Sequence, residues 1–414
     1  MAVRNSPYKI IDGGVAAPEG FVCSAVQCGI KDAAKMRLDL GLIYSKVPAV
    51  TAGAFTSNKV KAAPVKVCQA HLRSNDIRAI IVNSGNANAC TGPRGIRDAK
   101  AMAEATGAAL ELRPAQVLVG STGIIGLPMP MERLTPKIPD LVKGLSRSNN
   151  DAISRAIMTS DTRPKTISIE VPLGNKMVRI GAIAKGAGMI SPSMGTMLCF
   201  ITTDAAVGLA ELKKCVNQAV QATFNRITID GDTSTNDTVV VMANGAAGNR
   251  RIKCGSPQCG AFHHALEWVM LQMAKAIVGD GERVTKFVEI EVKGAATHMD
   301  ARRVAETVAN SLLVKCSWNG GDANWGRVMH AIGYSRARIR EEQIDIFFDG
   351  HAAARNGIAA GTPVEVLRKA VAKKEFTLTI DLNCGEAAYN VYTSDISQEY
   401  VDFNRTEYAA PVKG

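Results

Sequence analysis

Apolar and polar positions along the chain follow two different periods, which predicts an α/β fold. Residues 20–56 predict strands and turns with glycine between them. Compact apolar runs of strand length follow at residues 78–82, 117–119, 197–203, 227–229, 238–243 and 285–295. Apolar residues spaced three and four positions apart predict helices at 96–110, 209–225, 262–278, 301–315 and 363–373. Residues 167–186 predict a hairpin, and the last hundred residues predict mostly strands with one helix.

The stretch KGAGMISPSMGTMLCFITTDA, residues 185–205, joins a glycine-rich turn to an apolar run. The run MLCFITT predicts a buried strand, so Thr196 is expected at the mouth of that strand, directly after the small residue Gly195. This layout is typical of a threonine that attacks its own preceding peptide bond and then uses the freed α-amino group as a local base. Thr196 is therefore the candidate nucleophile.

Two other polar segments are candidates for binding or catalysis. A predicted strand opens into Gly120-Ser121-Thr122-Gly123, where Thr122 and the amide of Gly123 could donate to a carbonyl oxygen that becomes negative. From this segment alone an ordinary tight turn is the commoner outcome. The hydroxyl cluster at residues 158–162 either caps the chain or suits a charged substrate group.

Composition narrows the class of protein. The chain has 414 residues, 46% of them hydrophobic, and it is long enough for two or three lobes or one large layered core. Its net charge of +11 is spread in short pairs, which indicates either a solvated basic surface or attraction of anionic substrates such as amino-acid carboxylates or an acyl-CoA. No block of like charge interleaves with aromatic residues, so nucleic acid is not the expected partner.

Cysteine usage and the N-terminus favour a cytoplasmic protein. The ten cysteines are scattered without paired CxxC spacing, which predicts reduced thiols, and Cys254 and Cys259 near two histidines lack the pattern of a zinc site. The acidic loop at residues 230–237 lacks the twelve-residue calcium pattern. The sequence predicts neither a metal nor a resident cofactor. It also has no apolar signal core at the start and no uninterrupted apolar run of membrane length.

Eight segments together resemble the ornithine acetyltransferase family of arginine biosynthesis. They lie in the order found in that family and span nearly the whole chain: FTSNKVKAAPV (55–65), IVNSGNANACTG (81–92), GSTGIIG (120–126), MTSDTRPK (158–165), KGAGMISPSMGTMLCFITTDA (185–205), DGDTSTNDTVV (230–240), DGERVTKF (280–287) and NWGRVMHAIGYS (324–335). Each is long enough that chance agreement of all eight is negligible.

The resemblance implies a self-processing enzyme. Cleavage between Gly195 and Thr196 would give an α chain of residues 1–195 and a β chain of residues 196–414, intertwined in one catalytic unit and assembled as α2β2. Thr196 would take acetyl from N-acetylornithine as an ester and pass it to glutamate, with acetyl-CoA open as a second donor. The implied fold is an αββα-type sandwich with two central sheets, related in layout to self-cleaving aminopeptidases.

The same resemblance implies roles for individual residues. Thr122 and Gly123 would hold the oxyanion, and five positions would contact substrate, namely Thr159, Lys185, Thr196, Glu282 and Asn404. In charge terms Lys185 suits a carboxylate and Glu282 an amino group. Family members usually have alanine where this chain has Gly195, and glycine is the more permissive residue at a strained bond.

Two rival functions remain at this stage. A self-cleaving aminopeptidase or amidohydrolase would share the layered fold, although such enzymes favour serine as the nucleophile. A non-catalytic binding protein would keep the fold without cleaving before Thr196.

Overall fold

The computed structural model describes residues 6–32, 36–74, 76–191, 197–253 and 255–407. Gly195 and Thr196, on which the predicted cleavage depends, lie outside the described residues, as does Cys254. The chain divides into two compact units, and neither is continuous in sequence. Unit 1 comprises Met1–Gly186, Ser193–Asn225 and Thr233–Ile277, and unit 2 comprises Ala187–Pro192, Arg226–Asp232 and Val278–Gly414.

Unit 1 is built on a mixed sheet. Among the described residues its strands are β1 (Lys9–Ile10), β2 (Phe21–Val26), β3 (Leu40–Phe55), β4 (Ile77–Asn86), β5 (Val117–Ile124), β6 (Lys165–Leu173), β7 (Lys176–Lys185), β8 (Leu198–Thr203) and β9 (Thr238–Ala243). Their order is β1-β6-β7-β8-β9-β3-β4-β5, and β2 pairs with the first half of β3 on the edge opposite β4. The pairs β4–β5 and β8–β9 are parallel, and the others are antiparallel.

Helices cover the sheet of unit 1. Their bounds are α1 (Ala63–His71), α2 (Gly92–Ala109), α3 (Met131–Leu134), α4 (Ile138–Lys143), α5 (Asn150–Ala156), α6 (Leu209–Ala222) and α7 (Pro257–Val278). Successive side chains of a strand point to opposite faces of the sheet, so neighbours in sequence pack in different hydrophobic clusters. Ile80 of β4 packs in a cluster with Phe200 of β8, whereas Ile81 packs in a second cluster with Met102 of α2.

Unit 2 has a sheet of its own. Its described strands are β10 (Phe287–Ala295), β11 (Asp345–Phe348), β12 (His351–Arg355), β13 (Ile358–Ala359), β14 (Glu375–Asp381) and β15 (Ala387–Ser394), in the order β13-β12-β11-β14-β10-β15. Its helices are α8 (His298–Asn310), α9 (Leu312–Asn319), α10 (Trp325–Gly333), α11 (Val364–Ala372) and α12 (Gln398–Glu407). The core of this unit includes Trp318, Phe348 and Phe376, whose rings lie edge-on or tilted to one another.

The predicted α/β class with two central sheets is confirmed, as are the hairpin of β6 and β7 and the buried strand after Thr196. Every residue of β8 and β9 is buried, as expected for adjacent parallel strands with continuous apolar runs. No helix in the described ranges has both the length and the apolar character needed to cross a membrane.

Three element predictions are wrong. Residues 227–229 form only an isolated bridge, between Ile227 and Tyr392. The pairing does not continue into a strand, because the N–H of Ile229 bonds to the carbonyl of Ile190 instead. The helix expected at 301–315 is two helices, and the Ser311 side chain accepts from the N–H of Val314 to begin the second. The last hundred residues also contain α10 and α12, beyond the one helix expected there.

Candidate active site

Lys185 ends strand β7 and brings three predicted site residues together in unit 1. Its side chain is only 2% exposed. The ammonium group donates to the hydroxyl of Thr159 at 2.7 Å and to the hydroxyl of Thr122 at 3.4 Å. Thr122 comes from β5, and Thr159 comes from the loop that follows α5. Segments distant in sequence thus place two hydroxyls and one ammonium group around one buried point.

A second lysine and one carboxylate complete this cluster. The carboxylate of Asp161 accepts from the Lys165 ammonium at 2.6 Å and from the N–H of Gly186 at 2.8 Å, and it lies 3.8 Å from the Lys185 ammonium. Burial disfavours the charged form of Asp161, but the two lysines and the Gly186 N–H outweigh burial and hold the pKa of this carboxyl below its usual range.

The cluster combines the Asp161 carboxylate with two buried ammonium groups. Lys165 is in direct contact with Asp161, and the Lys185 ammonium lies 3.8 Å from the same carboxylate. An anion placed near Lys185 would therefore gain a charge-assisted hydrogen bond in a poorly solvated setting. This electrostatic arrangement suits a carboxylate or a developing oxyanion.

Gly123 lies one residue beyond Thr122, at a point where only glycine fits. Its φ is +137°, and a Cβ there would lie 2.3 Å from the carbonyl carbon of Gly85 and 2.4 Å from the nitrogen of Asn86. The ladder between β4 and β5 changes register at these residues. A glycine at position 123 is thus required by a bulge in a tightly packed parallel pair, whatever further role its amide has.

The side chain of Asn236 fixes the same turn. Its amide nitrogen donates to the carbonyl of Ser121 at 2.8 Å and to the carbonyl of Ala87 at 2.7 Å, and the residue is only 5% exposed. The Ser121 hydroxyl in turn donates to Asn83 at 2.6 Å. At and after the end of β4, Asn86 and Asn88 donate to the carbonyls of Pro128 at 3.0 Å and Gly95 at 2.9 Å, so these amides also hold backbone, which is the commoner role of such loops.

Unit 2 brings together two further predicted site residues. The Nδ2 of Asn404, on α12, donates to a carboxylate oxygen of Glu282 at 3.2 Å. The N–H of Glu282 donates to the carbonyl of Ala187 at 2.7 Å. A Cβ on Gly188 would lie 2.6 Å from the Glu282 carboxyl, so Gly188 lets that carboxyl lie directly against the backbone. The carboxylate is 7% exposed and thus poorly solvated.

The segment that precedes the predicted cleavage point is held by Asp230 within unit 2. This carboxyl accepts from the N–H of Met189 at 2.6 Å and from that of Ile190 at 2.9 Å, and Tyr400 of α12 donates its hydroxyl to it at 3.3 Å. Burial raises the pKa of Asp230 despite the backbone donors. Burial and the nearby carboxyls of Asp230 and Glu282 also raise the pKa of the Tyr400 phenol, so its hydroxyl stays a donor.

Comparison with known proteins gives the family. The sequence profile of the ArgJ family matches residues 22–409. The chain belongs to this family. A relative named arginine biosynthesis bifunctional protein ArgJ, from Geobacter sulfurreducens, is 49% identical over 387 residues, which is 93% of this chain and 98% of the relative. A protein of the same name from Symbiobacterium thermophilum is 44% identical over 392 residues, 95% of this chain and 98% of its own.

A solved structure of the ArgJ protein from Bacillus halodurans is 37% identical and covers 49% of this chain and 95% of its own, with a TM-score of 0.48. The full-length ArgJ match confirms the predicted membership of the ornithine acetyltransferase family, and with it the prediction that the chain is an enzyme. The roles assigned above to Thr122, Gly123, Thr159, Lys185, Glu282 and Asn404 stay predictions.

Several buried polar residues are not predictable as site residues from the sequence. Asp161 and Lys165 lie in a motif that gives them no role, and residues 230–237 resemble only a poor calcium loop. The sequence feature that could have indicated a buried role is the position of these polar residues directly beside apolar strands. A charged residue at such a place is either a turn residue or a buried partner, and sequence alone does not separate the two.

Proposed function

We propose that the chain cleaves itself between Gly195 and Thr196 and then transfers acetyl from N-acetylornithine to glutamate through an acetyl ester on Thr196. The observation that carries the proposal is the match to the ArgJ family over residues 22–409, a range that includes the predicted scissile bond and every predicted site residue. The names of the matched relatives assign them to arginine biosynthesis.

The cleavage step is an N-to-O acyl shift. The Thr196 hydroxyl attacks the carbonyl carbon of Gly195, the C–N bond breaks, and the departing nitrogen takes a proton and becomes the α-amine of Thr196. Water then hydrolyses the ester and leaves Gly195 as a carboxylate. The new α-amine has a reference pKa of about 8, so it serves as a base near neutral pH with little adjustment.

Acetyl transfer reuses the same nucleophile. The Thr196 hydroxyl attacks the acetyl carbonyl of N-acetylornithine, ornithine leaves as the amine, and the amine of glutamate then attacks the resulting ester. Each half-reaction passes through an oxyanion, for which Thr122 and the amide of Gly123 are the proposed donors, each worth about 3 kcal/mol. The nearby Lys185 ammonium adds positive charge in the same buried region of unit 1.

Substrate recognition follows from the charges of the two clusters. In unit 1 the buried Lys185 ammonium suits a substrate carboxylate. In unit 2 the Glu282 carboxylate, held by Asn404, suits a substrate amino group. Thr159 orients Lys185 through the hydrogen bond at 2.7 Å. The cleaved chains associate as α2β2 in the cytoplasm and need no resident cofactor.

Self-cleavage is tested first. On a denaturing gel the purified protein should give two bands near half of 43.9 kDa, and mass spectrometry should find a new N-terminus at Thr196. Thr196→Ala should stay intact and inactive, whereas Thr196→Ser, which keeps a hydroxyl, should still cleave. A wild-type chain that stays intact after prolonged incubation would contradict the mechanism and favour a binding protein.

Acetyl transfer is tested with labelled donors. Labelled N-acetylornithine without acceptor should leave one acetyl group on the β chain, and added glutamate should remove it as N-acetylglutamate. Release of free acetate at a matching rate in the absence of glutamate would favour a hydrolase instead. A parallel experiment with labelled acetyl-CoA decides whether a second donor is used, a question raised by the word bifunctional in the names of the relatives.

A further inference from the structure

Asp237 is a buried carboxyl that no step described so far uses. It ends the polar loop 230–237, directly before β9, and none of its surface is exposed. Its Oδ1 accepts a hydrogen bond from the N–H of Met197 at 3.1 Å. Met197 is the residue bonded to Thr196, so this contact lies one peptide unit from the predicted nucleophile.

The two sides of Met197 are fixed by consecutive residues. Asp237 holds its N–H, and the N–H of Thr238 donates to its carbonyl at 3.1 Å. The pairing then continues as the parallel ladder from Leu198 with Thr238 onward. Because a peptide unit is planar, a hydrogen bond to the Met197 N–H constrains the plane of the bond that joins it to the preceding residue. The ladder alone, which begins after this bond, leaves that plane unconstrained.

The second oxygen of Asp237 is unusual. Within the described ranges Oδ2 is buried and makes no hydrogen bond of good geometry. Burial raises the pKa of Asp237 well above its usual value, and the opposing effects of the Met197 N–H, the hydroxyls of Thr56 and Ser234, and the Lys185 charge do not cancel it. Burying the Asp237 carboxyl costs free energy, and the carboxyl holds one N–H group, that of Met197. A need to orient this N–H explains the buried aspartate better than stability alone does.

We infer that Asp237 is a positioning residue, whose Oδ1 holds the peptide unit after Thr196 so that the nucleophile is oriented for cleavage and for acetyl transfer. This inference rests on the proposed function. The proposed role requires only one hydrogen-bond acceptor, at the position of the Asp237 Oδ1. An isosteric amide should therefore substitute for the carboxyl, and an apolar side chain should not.

The test compares Asp237→Asn with Asp237→Ala and Asp237→Leu, the last of which roughly fills the volume without an acceptor. Folding is checked by circular dichroism and the thermal unfolding midpoint, and only folded protein is assayed. We expect the Ala and Leu variants to lose about 100-fold in the rate of self-cleavage, and in kcat once cleaved, with little change in KM, because misplacement of a reacting group costs about that much. Asn should rescue most of both losses.

Asp204 offers a matched control. It is likewise a buried carboxyl of unit 1 with a raised pKa caused by burial, and it accepts the N–H groups of Arg179 at 2.7 Å and Glu19 at 2.9 Å. Asp204→Ala should lower the unfolding midpoint without changing the rate of cleavage or kcat. A merely structural role for Asp237 would make its Ala variant behave like Asp204→Ala.

Three results would overturn the inference. The first is wild-type cleavage and kcat in folded Asp237→Ala or Asp237→Leu. The second is an Asn variant as slow as the Ala variant, which would mean that the carboxyl acts by proton transfer. The third is an equal kcat loss in Asp204→Ala. Failure of the proposed function is a separate outcome, because it would appear in the wild-type protein as an intact chain or as no acetyl transfer.

Discussion

Asp161 is the residue that allows two lysines to lie in the interior of unit 1. Lys165 and Lys185 are at most 2% exposed, and the Asp161 carboxylate is fully buried between their ammonium groups. Ions taken out of water are costly unless each is paired and hydrogen-bonded. Loss of this carboxylate would remove a charged partner from two buried ammonium groups, so its effect on stability should exceed that of any exposed ion pair.

Asp161→Asn should therefore lower the free energy of unfolding by about 3–5 kcal/mol at pH 7, measured by urea denaturation. The pKa of Asp161 is depressed in the folded state, so its contribution is present above the unfolded pKa of about 4 and is lost as pH falls below it. The difference from wild type should thus be equal at pH 7 and pH 5 and smaller at pH 3.5.

The control for that experiment is Asp151→Asn. Asp151 pairs with Arg155 at 2.8 Å on α5, but the two side chains are 70% and 56% exposed. Solvent screening makes such pairs weak, so no measurable change is expected. A difference between Asp161→Asn and wild type that has already vanished at pH 5 would show that the Asp161 carboxyl is not ionised in the native protein.

Gly123 supports a second prediction at the same scale. Gly123→Ala should reduce kcat for acetyl transfer at least 100-fold, because the bulge must open to relieve a 2.3 Å clash with Gly85 and the proposed oxyanion donor then moves. Gly126→Ala is the matched control, since Gly126 also has positive φ, +86°, but has open space around its Cβ position. It should lose stability without a comparable loss of kcat.

At the scale of elements, how far the sequence predicts the fold depends on what each element packs against. Strand β8 was predictable because its run of six residues is buried throughout. Helix α12 was not, because Gln398–Glu407 carries few apolar residues and shows no clear stripe. Residues 227–229 look like a strand, yet their N–H groups bond to segments that only the tertiary fold brings close. The spacing of apolar residues indicates that a segment is buried, but it does not identify the segment against which it packs.

The residues of the candidate site likewise fall into those that the sequence predicts and those that it does not. Lys185, Thr122 and Thr159 were found through motifs, and the structure brings them within hydrogen-bonding distance of one another through the Lys185 ammonium. The buried positions of Asn236 and Asp237 were not predicted, because a polar residue in a loop has the same sequence pattern whether it is solvated or buried against backbone. Their partners are up to 149 residues away in sequence.

Helix α12 carries the third prediction. Truncation after Ser397 removes Asn404, which donates to Glu282, and should raise KM for N-acetylornithine about tenfold or more, since a hydrogen bond to a charged group is worth about 1.5–3 kcal/mol. The control is truncation after residue 407, which keeps α12 and should leave KM unchanged. An equal KM in both truncated proteins would remove Asn404 and α12 from substrate binding.

At the scale of the whole molecule, the two units and the two predicted chains divide the sequence differently. In unit 1, β7 of the α chain is hydrogen-bonded to β8 of the β chain from Ile180 with Thr203 to Lys185 with Leu198. In unit 2, Met189 of the α chain is held by Asp230 of the β chain. Each unit therefore contains segments of both chains.

This arrangement gives the fourth prediction. After self-cleavage the two chains should elute together in size-exclusion chromatography in native buffer and separate only in denaturant, because separation requires the core strands of unit 1 to come apart. Uncleaved Thr196→Ala serves as the size reference. Elution of a free 195-residue or 219-residue chain without denaturant would contradict the prediction.

The pairing of β7 with β8 makes the predicted cleavage point a candidate site for fragment complementation. A nick between adjacent, fully paired strands removes no ladder hydrogen bond, so the information for assembly lies in the paired edges rather than in the covalent connection. Residues 1–195 and 196–414, produced from two separate reading frames, carry complementary edges at β7 and β8 and at β3 and β9. The α and β chains would then associate from two separate polypeptides, and the acyl shift would not be a condition of folding.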